Sequence, residues 1–182
     1  GGLVRLPGGA AMKRLILIGG PMGVGKTAVG RALRNQIPNS VFLDGDWCWD
    51  ANPFTVTEET KAMVLENIRF LLGQFLRCSV YETVIFCWVM HQQNIVDAIL
   101  SGLPLDNVRV WAISLTAEPE ELRRRLEGDV SRGLRQPDVV ERGLAYLPAY
   151  ERMNTEKVDT TQLSPEAVAG TLRARLTGSG GE

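Results

Sequence analysis

The sequence predicts an α/β fold in three layers, a parallel sheet covered by helices on both faces, and three observations carry that expectation. Apolar runs of strand length alternate with longer segments of helical period, the pattern of βαβ units. Three of the runs are almost continuously apolar, which suits strands buried on both sides. With 182 residues and 45% apolar content, the chain can bury one core of ordinary size and falls within the range of one domain.

The elements follow in order. Strands are expected at residues 14–18, 41–43, 83–88 and 108–115, with a weaker one at 157–159. Helical period fills the gaps at 26–36, 58–76, 92–100, 120–127, 138–146 and 165–176. The last helix is the best marked, because Ser164 can cap its exposed amides and Pro165 is pre-set for the first helical position. An aromatic-rich loop, GDWCWDANPFTVT, occupies 45–57, and a polar one, GDVSRGLRQP, occupies 128–137; loops so placed are candidates for substrate and phosphate lids. The domain is read as 12–176, and the Gly-rich ends, 1–11 and 177–182, are expected to be flexible tails.

Composition narrows the function classes. A net charge of −1, from 20 basic and 21 acidic side chains spread along the chain, leaves no footprint for a polyanion, so nucleic acid is not an expected partner. The longest apolar runs, LILI near Leu15 and VIFCWVM from Val84, are far shorter than the roughly 20 residues of a membrane span. No membrane partner is expected. Cys48, Cys78 and Cys87 show no CxxC or Cys/His metal spacing, and no signal-peptide pattern opens the chain, so a cytoplasmic setting is expected. Monomer and homodimer both stay open.

Residues 20–27 read GPMGVGKT, matching GxxxxGK[ST] between an apolar strand and a helical segment, where the motif belongs. Glycines let the backbone curl so that its N–H groups point at phosphate oxygens, and the following helix adds its positive end. The expected nucleotide contacts are Gly20, Met22, Gly23, Val24, Gly25, Lys26, Thr27 and Ala28. Lys26 reaches toward the β- and γ-phosphates of ATP, and Thr27 offers a hydroxyl to Mg²⁺. Many proteins with this loop hold the metal with an Asp at the end of an apolar strand, but the strands at 83–88 and 108–115 end without one, and no NKxD guanine signature occurs. The acids instead follow the second strand, in VFLDGDW. Carboxyl ends of strands in an open α/β sheet face the ligand crevice, which brings Asp44 and Asp46 near a transferred phosphate. One would orient metal-bound water and the other an acceptor hydroxyl, with Asp46 the first choice for the base; a plain DGD turn also suits their chemistry.

With these residues in hand, the sequence resembles the small P-loop kinases of the shikimate, gluconate and adenylylsulfate kinase type, and it also looks like chloramphenicol phosphotransferase and the tunicamycin-resistance protein. The resemblance runs from Met12 to about Leu176 and rests on GPMGVGKT, the DGD, LRRRLEGDVSRGLR and VDTTQLSPEAVA. It implies a P-loop NTPase fold with a five-stranded parallel sheet, an arginine-bearing lid, and transfer of a phosphoryl group to a non-protein acceptor. By that analogy Asp44 serves the magnesium shell and Asp46 the acceptor hydroxyl. The chain departs from shikimate kinase where the third strand runs on as CWVMHQQ in place of a glycine-rich motif, so shikimate itself is not the expected substrate.

Arg125, Arg132 and Arg135 are the expected phosphate contacts, since a positioned arginine can be worth roughly 10³ to 10⁵ in rate and its planar fork suits phosphate oxygens. Arg123 and Arg124 are expected instead to pair with Glu120, Glu121 and Glu127 on a solvated helix face. Thr160 and Thr161 stand where the related kinases line the adenine, or else form a simple turn. For the acceptor, Trp47, Trp49 and Phe54 crowd the first loop, while Trp88, Met90 and His91 follow the third strand. Such side chains bury large apolar area and keep a polar handle, which fits a planar or partly apolar small molecule such as a nucleoside, a sugar or an aromatic antibiotic. Asp50 and Arg69 are weaker candidates. The expected function is a small-molecule kinase; the alternative is an ATP-hydrolysing switch or nucleotide-binding module with no acceptor.

Overall fold

A computed structural model describes residues 12–178. Segment 1–11 and residues 179–182 of the expected tails lie outside the described residues, and residues 177 and 178 belong to the last helix. The strands are β1 (Lys13–Gly19), β2 (Ser40–Asp44), β3 (Thr83–Cys87), β4 (Val108–Thr116) and β5 (Glu156–Asp159). The helices are α1 (Lys26–Gln36), α2 (Glu58–Arg77), α3 (Gln93–Leu100), α4 (Pro119–Ser131), α5 (Val139–Arg152) and α6 (Pro165–Gly178), with a short 3₁₀ turn at Gly45–Cys48. All five strands pair in parallel in the order β2-β3-β1-β4-β5. Every strand therefore sends its carboxyl end to the same edge.

β1 is central, and Leu15 to Ile18 are within 1% of complete burial. Because strand side chains alternate, Ile16 and Ile18 pack with α1, α4 and α6 on one face, while Leu15 and Leu17 pack with α2 and α3 on the other. Each such burial stabilises the fold by about 1.5–3 kcal/mol. Helix starts are set locally: Thr57 and Thr60 close a reciprocal capping box at α2, and Ser164 Oγ accepts from Ala167 N at 3.1 Å ahead of Pro165.

Two elements outrun the sequence pattern. α4 continues to Ser131 and absorbs the first part of the polar loop. α5 continues past Tyr146 to Arg152 although Pro148 lies inside it, because Tyr150 and Met153 are buried and hold the far turn in place. α5 also changes sides. Val139 and Val140 join the core under α1, whereas Tyr150 and Met153 join the core under α2, so the helix passes across the carboxyl edge of the sheet. Among the described residues, no helix is long and apolar enough to cross a membrane.

Candidate functional site

The loop between β1 and α1 is shaped by its glycines. Gly23 and Gly25 adopt φ of 84° and 99°, in the left-handed region that favours glycine. A side chain at Gly23 would also strike Leu126 Cδ2 at 2.5 Å, whereas a Cβ on Gly25, the residue capping α1, would point into open space. That open cradle at a helix N-terminus fits a phosphate. Lys26 lies folded over the loop, donating to Gly20 O at 2.8 Å and Pro21 O at 3.0 Å, and burial lowers its pKa to about 8. Met22, Ala28 and the backbone of Val24 complete the loop's wall.

Beside it, Thr27 Oγ1 donates to Asp44 Oδ2 at 2.5 Å, and Asp44 Oδ1 accepts from Asp46 N at 2.9 Å. Asp44 is 4% exposed at the end of β2, in register with Cys87 at the end of β3. The end of β2 thus brings a carboxylate beside the end of β3, which has none. The Cys87 thiol, pushed up by burial, sits against Thr27 and Asp44. A hydroxyl and a single carboxylate suit a Mg²⁺ that takes its remaining ligands from phosphate and water, and no group of three His, Cys, Asp or Glu among the described residues offers a protein-only metal cage.

Asp46 reaches into the cleft. Burial and then the neighbouring Asp44 push its carboxyl pKa up, while the Trp88 indole N–H faces it. Trp88 lies over the peptide between the two acids so closely that a Cβ on Gly45 would stand 2.5 Å from its ring. The glycine of DGD is there for space. Trp49 stacks on Phe54 with centroids 4.1 Å apart, and His91 meets Tyr146 at 4.7 Å. These groups and the phosphate loop line one cleft of about 1070 Å³.

The arginines are engaged with protein partners. Arg125 donates to Thr160 O at 2.8 Å, Thr160 Oγ1 at 2.9 Å, Val24 O at 3.4 Å and Glu121 Oε1 at 2.9 Å, so it braces α4, the phosphate loop and the segment after β5. Arg125, expected to contact phosphate, also lines the main cleft. Thr160 is 2% exposed and borders a second hollow of about 400 Å³ on the far side of the loop from Asp46, walled also by Leu163 and Val168. Arg132 and Arg135 line the main cleft and pair with Asp129 at 2.7 and 3.1 Å. Arg123 and Arg124 pair with acids, Glu127 and Glu121 among them, as expected of a solvated face, though Arg124 also borders the cleft.

Other expectations are corrected. Trp47 points away from the cleft, 52% exposed, edge-on to Phe42 at 5.4 Å and beneath the Arg31 guanidinium at 5.6 Å. Its neighbour Trp49 turns inward because the 3₁₀ turn ends at Cys48. Met90 is core, 2% exposed. Arg69 donates to Ala98 O at 2.8 Å and ties α2 to α3, and Asp50 is exposed outside the cleft. Sequence reasoning missed Arg142, Tyr146 and Tyr150, all on α5 and all lining the cleft; the Gly20 amide meets the Tyr150 hydroxyl. Tyr146 and Tyr150 lie one turn apart, a signal hidden by the intervening Pro148.

This fold and this loop define a P-loop NTPase of the small-kinase shape. More particularly, the chain belongs to the AAA domain family, whose model matches residues 16–141. Among solved structures it is similar to the tunicamycin resistance protein of Deinococcus radiodurans, at 22% identity and TM-score 0.65 over 90% of this chain and 95% of that one. It is also similar to a gluconokinase from Sinorhizobium meliloti 1021, at 18% identity and TM-score 0.61 over 93% of this chain and 99% of that one. A shikimate kinase from Acinetobacter baumannii in complex with shikimate aligns at 20% identity and TM-score 0.61, over 94% of this chain and 96% of that one. At these identities the likeness is one of fold. A search of curated proteins returns no match.

Proposed function

We propose that the chain is an ATP-dependent phosphotransferase acting on a hydroxyl of a small molecule. The observation that carries the reading is the convergence, in one cleft, of Lys26, the Thr27–Asp44 pair and Asp46 with a largely aromatic wall facing them. The likeness in fold to kinases of gluconate and shikimate supports the same class.

ATP bound with Mg²⁺ would supply an activated γ-phosphoryl group. Lys26 would exchange its bonds to Gly20 O and Pro21 O for phosphate oxygens, and Thr27 with Asp44 would hold the metal. Asp46 orients the acceptor hydroxyl and takes its proton as the new O–P bond forms and the bond to ADP breaks; burial and the neighbouring Asp44 raise its pKa, which makes it a better proton acceptor than an ordinary carboxylate. Arg132 and Arg135 leave Asp129 to meet the transferring charge, whereas Arg125 with Thr160 shapes the nucleotide end. Positioning and charge stabilisation do most of the work in this chemistry.

The test is incubation of the full chain with Mg-ATP and a panel of nucleosides, sugars and aromatic antibiotics. The expected result is ADP release that depends on one acceptor class, with a phosphorylated product in the mass spectrum. ADP release indifferent to every acceptor would instead favour the switch.

A further inference from the structure

Resting on that reading, we infer that the acceptor is an alcohol with a flat apolar body and no anionic group, and that the site discriminates against carboxylates of the same size. The shape comes from the walls. Trp49 on Phe54, Trp88 over Gly45, and Tyr146 on His91 present ring faces and edges around Asp46, with Val64 and Ile95 beneath. Rings stacked or set edge-on in this way favour a planar guest over a hydrated polyol.

The charge preference comes from where the cations are. Lys26 belongs to the phosphate loop, and Arg124, Arg125, Arg132 and Arg135 lie on α4 or just after it, held by Glu121 or Asp129. Only Lys61 and Arg142 remain among the described cations that line the cleft. Each is more than half exposed and pairs with an exposed acid, Glu58 at 2.7 Å and Asp138 at 3.1 Å. An exposed, screened cation offers little return for stripping water from a carboxylate. Arg69, the remaining cation of α2 with a guanidinium turned inward, is tied to Ala98 O. Asp44 and Asp46 add repulsion for an anion. Burial also lowers the pKa of the His91 imidazole, which favours its neutral form, a flat polar edge.

Calorimetric titration of the full chain, with a non-hydrolysable ATP analogue and Mg²⁺ present, decides this with two 2-phenylethanols carrying a para methyl or carboxylate group, plus sorbitol. The expected result is that the methyl compound binds about 10-fold more tightly than each of the others, and that Trp49→Ala weakens it by about 10-fold while the ATP analogue binds as before. The carboxylate or sorbitol binding as tightly, no measurable binding of the methyl compound, or an unchanged affinity in Trp49→Ala overturns the inference. If the binding order holds but no member accelerates ADP release from Mg-ATP, the binding class stands and the phosphotransferase reading falls.

Discussion

The two ends of the cleft are built differently. The nucleotide end is one contiguous stretch, Gly20 to Thr27, closed by backbone: Lys26 bonds to carbonyls five and six residues back, and Gly25 opens α1 directly onto the cradle. The acceptor end is a mosaic, with Asp46 after β2, Trp49 and Phe54 from the loop before α2, Trp88 and His91 after β3, and Tyr146 from α5. A site made of one segment keeps its geometry wherever that segment folds, so it tolerates change around it. A site gathered from three segments depends on every element that brings them together, and small shifts in packing re-aim its side chains. The first arrangement suits a common phosphate donor, the second a particular acceptor.

That contrast can be broken most sharply at its two chemical poles. Lys26→Ala is expected to lower turnover by about 10²–10³-fold and to weaken ATP binding, read by coupled ADP release and by titration with the nucleotide. Asp46→Asn is expected to leave ATP affinity within experimental scatter while phosphoryl transfer falls by about 10²-fold, the lower bound for losing a positioned base. Full turnover in that variant would remove Asp46 from the chemistry. If both variants lose nucleotide affinity equally, the ends are not separable.

Gly45→Ala probes the seam between them. Its Cβ would lie 2.5 Å from the Trp88 ring, so the ring or the DGD backbone must move, at a cost of about 1–3 kcal/mol in stability. Thermal melting should show a lower Tm, and transfer should fall more than nucleotide binding does, because Trp88 and Asp46 move together. The smallest effect is expected at Glu121. Hydrogen bonds from Arg124, aided by Arg125, hold its carboxyl at about pH 2, below the ordinary carboxylate range. A depressed carboxylate contributes stability that is present above the unfolded-state pKa and is lost as pH falls through the folded-state value. Glu121→Gln should therefore melt slightly below the unchanged protein at pH 7, and the gap should close between about pH 4.5 and pH 2.

The sequence could be read furthest where the chain closes on itself. The alternation of Leu15 to Ile18 gives a doubly covered central strand, Ser164 and Pro165 start α6, and GPMGVGKT carries its own turn, helix end and cation within a few residues. Asp44 and Asp46 belong with these, since parallel pairing alone sends the end of β2 to the loop's edge of the sheet.

The aromatic side was not decided there. Trp47 and Trp49 are of one type and two residues apart, yet the 3₁₀ turn sends Trp47 out against Phe42 and beneath Arg31, and Trp49 into the cleft. Likewise the partners that Thr160 and Val24 O, from other elements, give to the Arg125 donors are not visible in its own segment, and Tyr150 reaches Gly20 only because buried packing carries α5 past Pro148. Local backbone chemistry fixes what a segment is within its own few residues. Which way a side chain turns, and which partner takes its hydrogen bonds, is set by elements far away in sequence whose approach only the packed core determines.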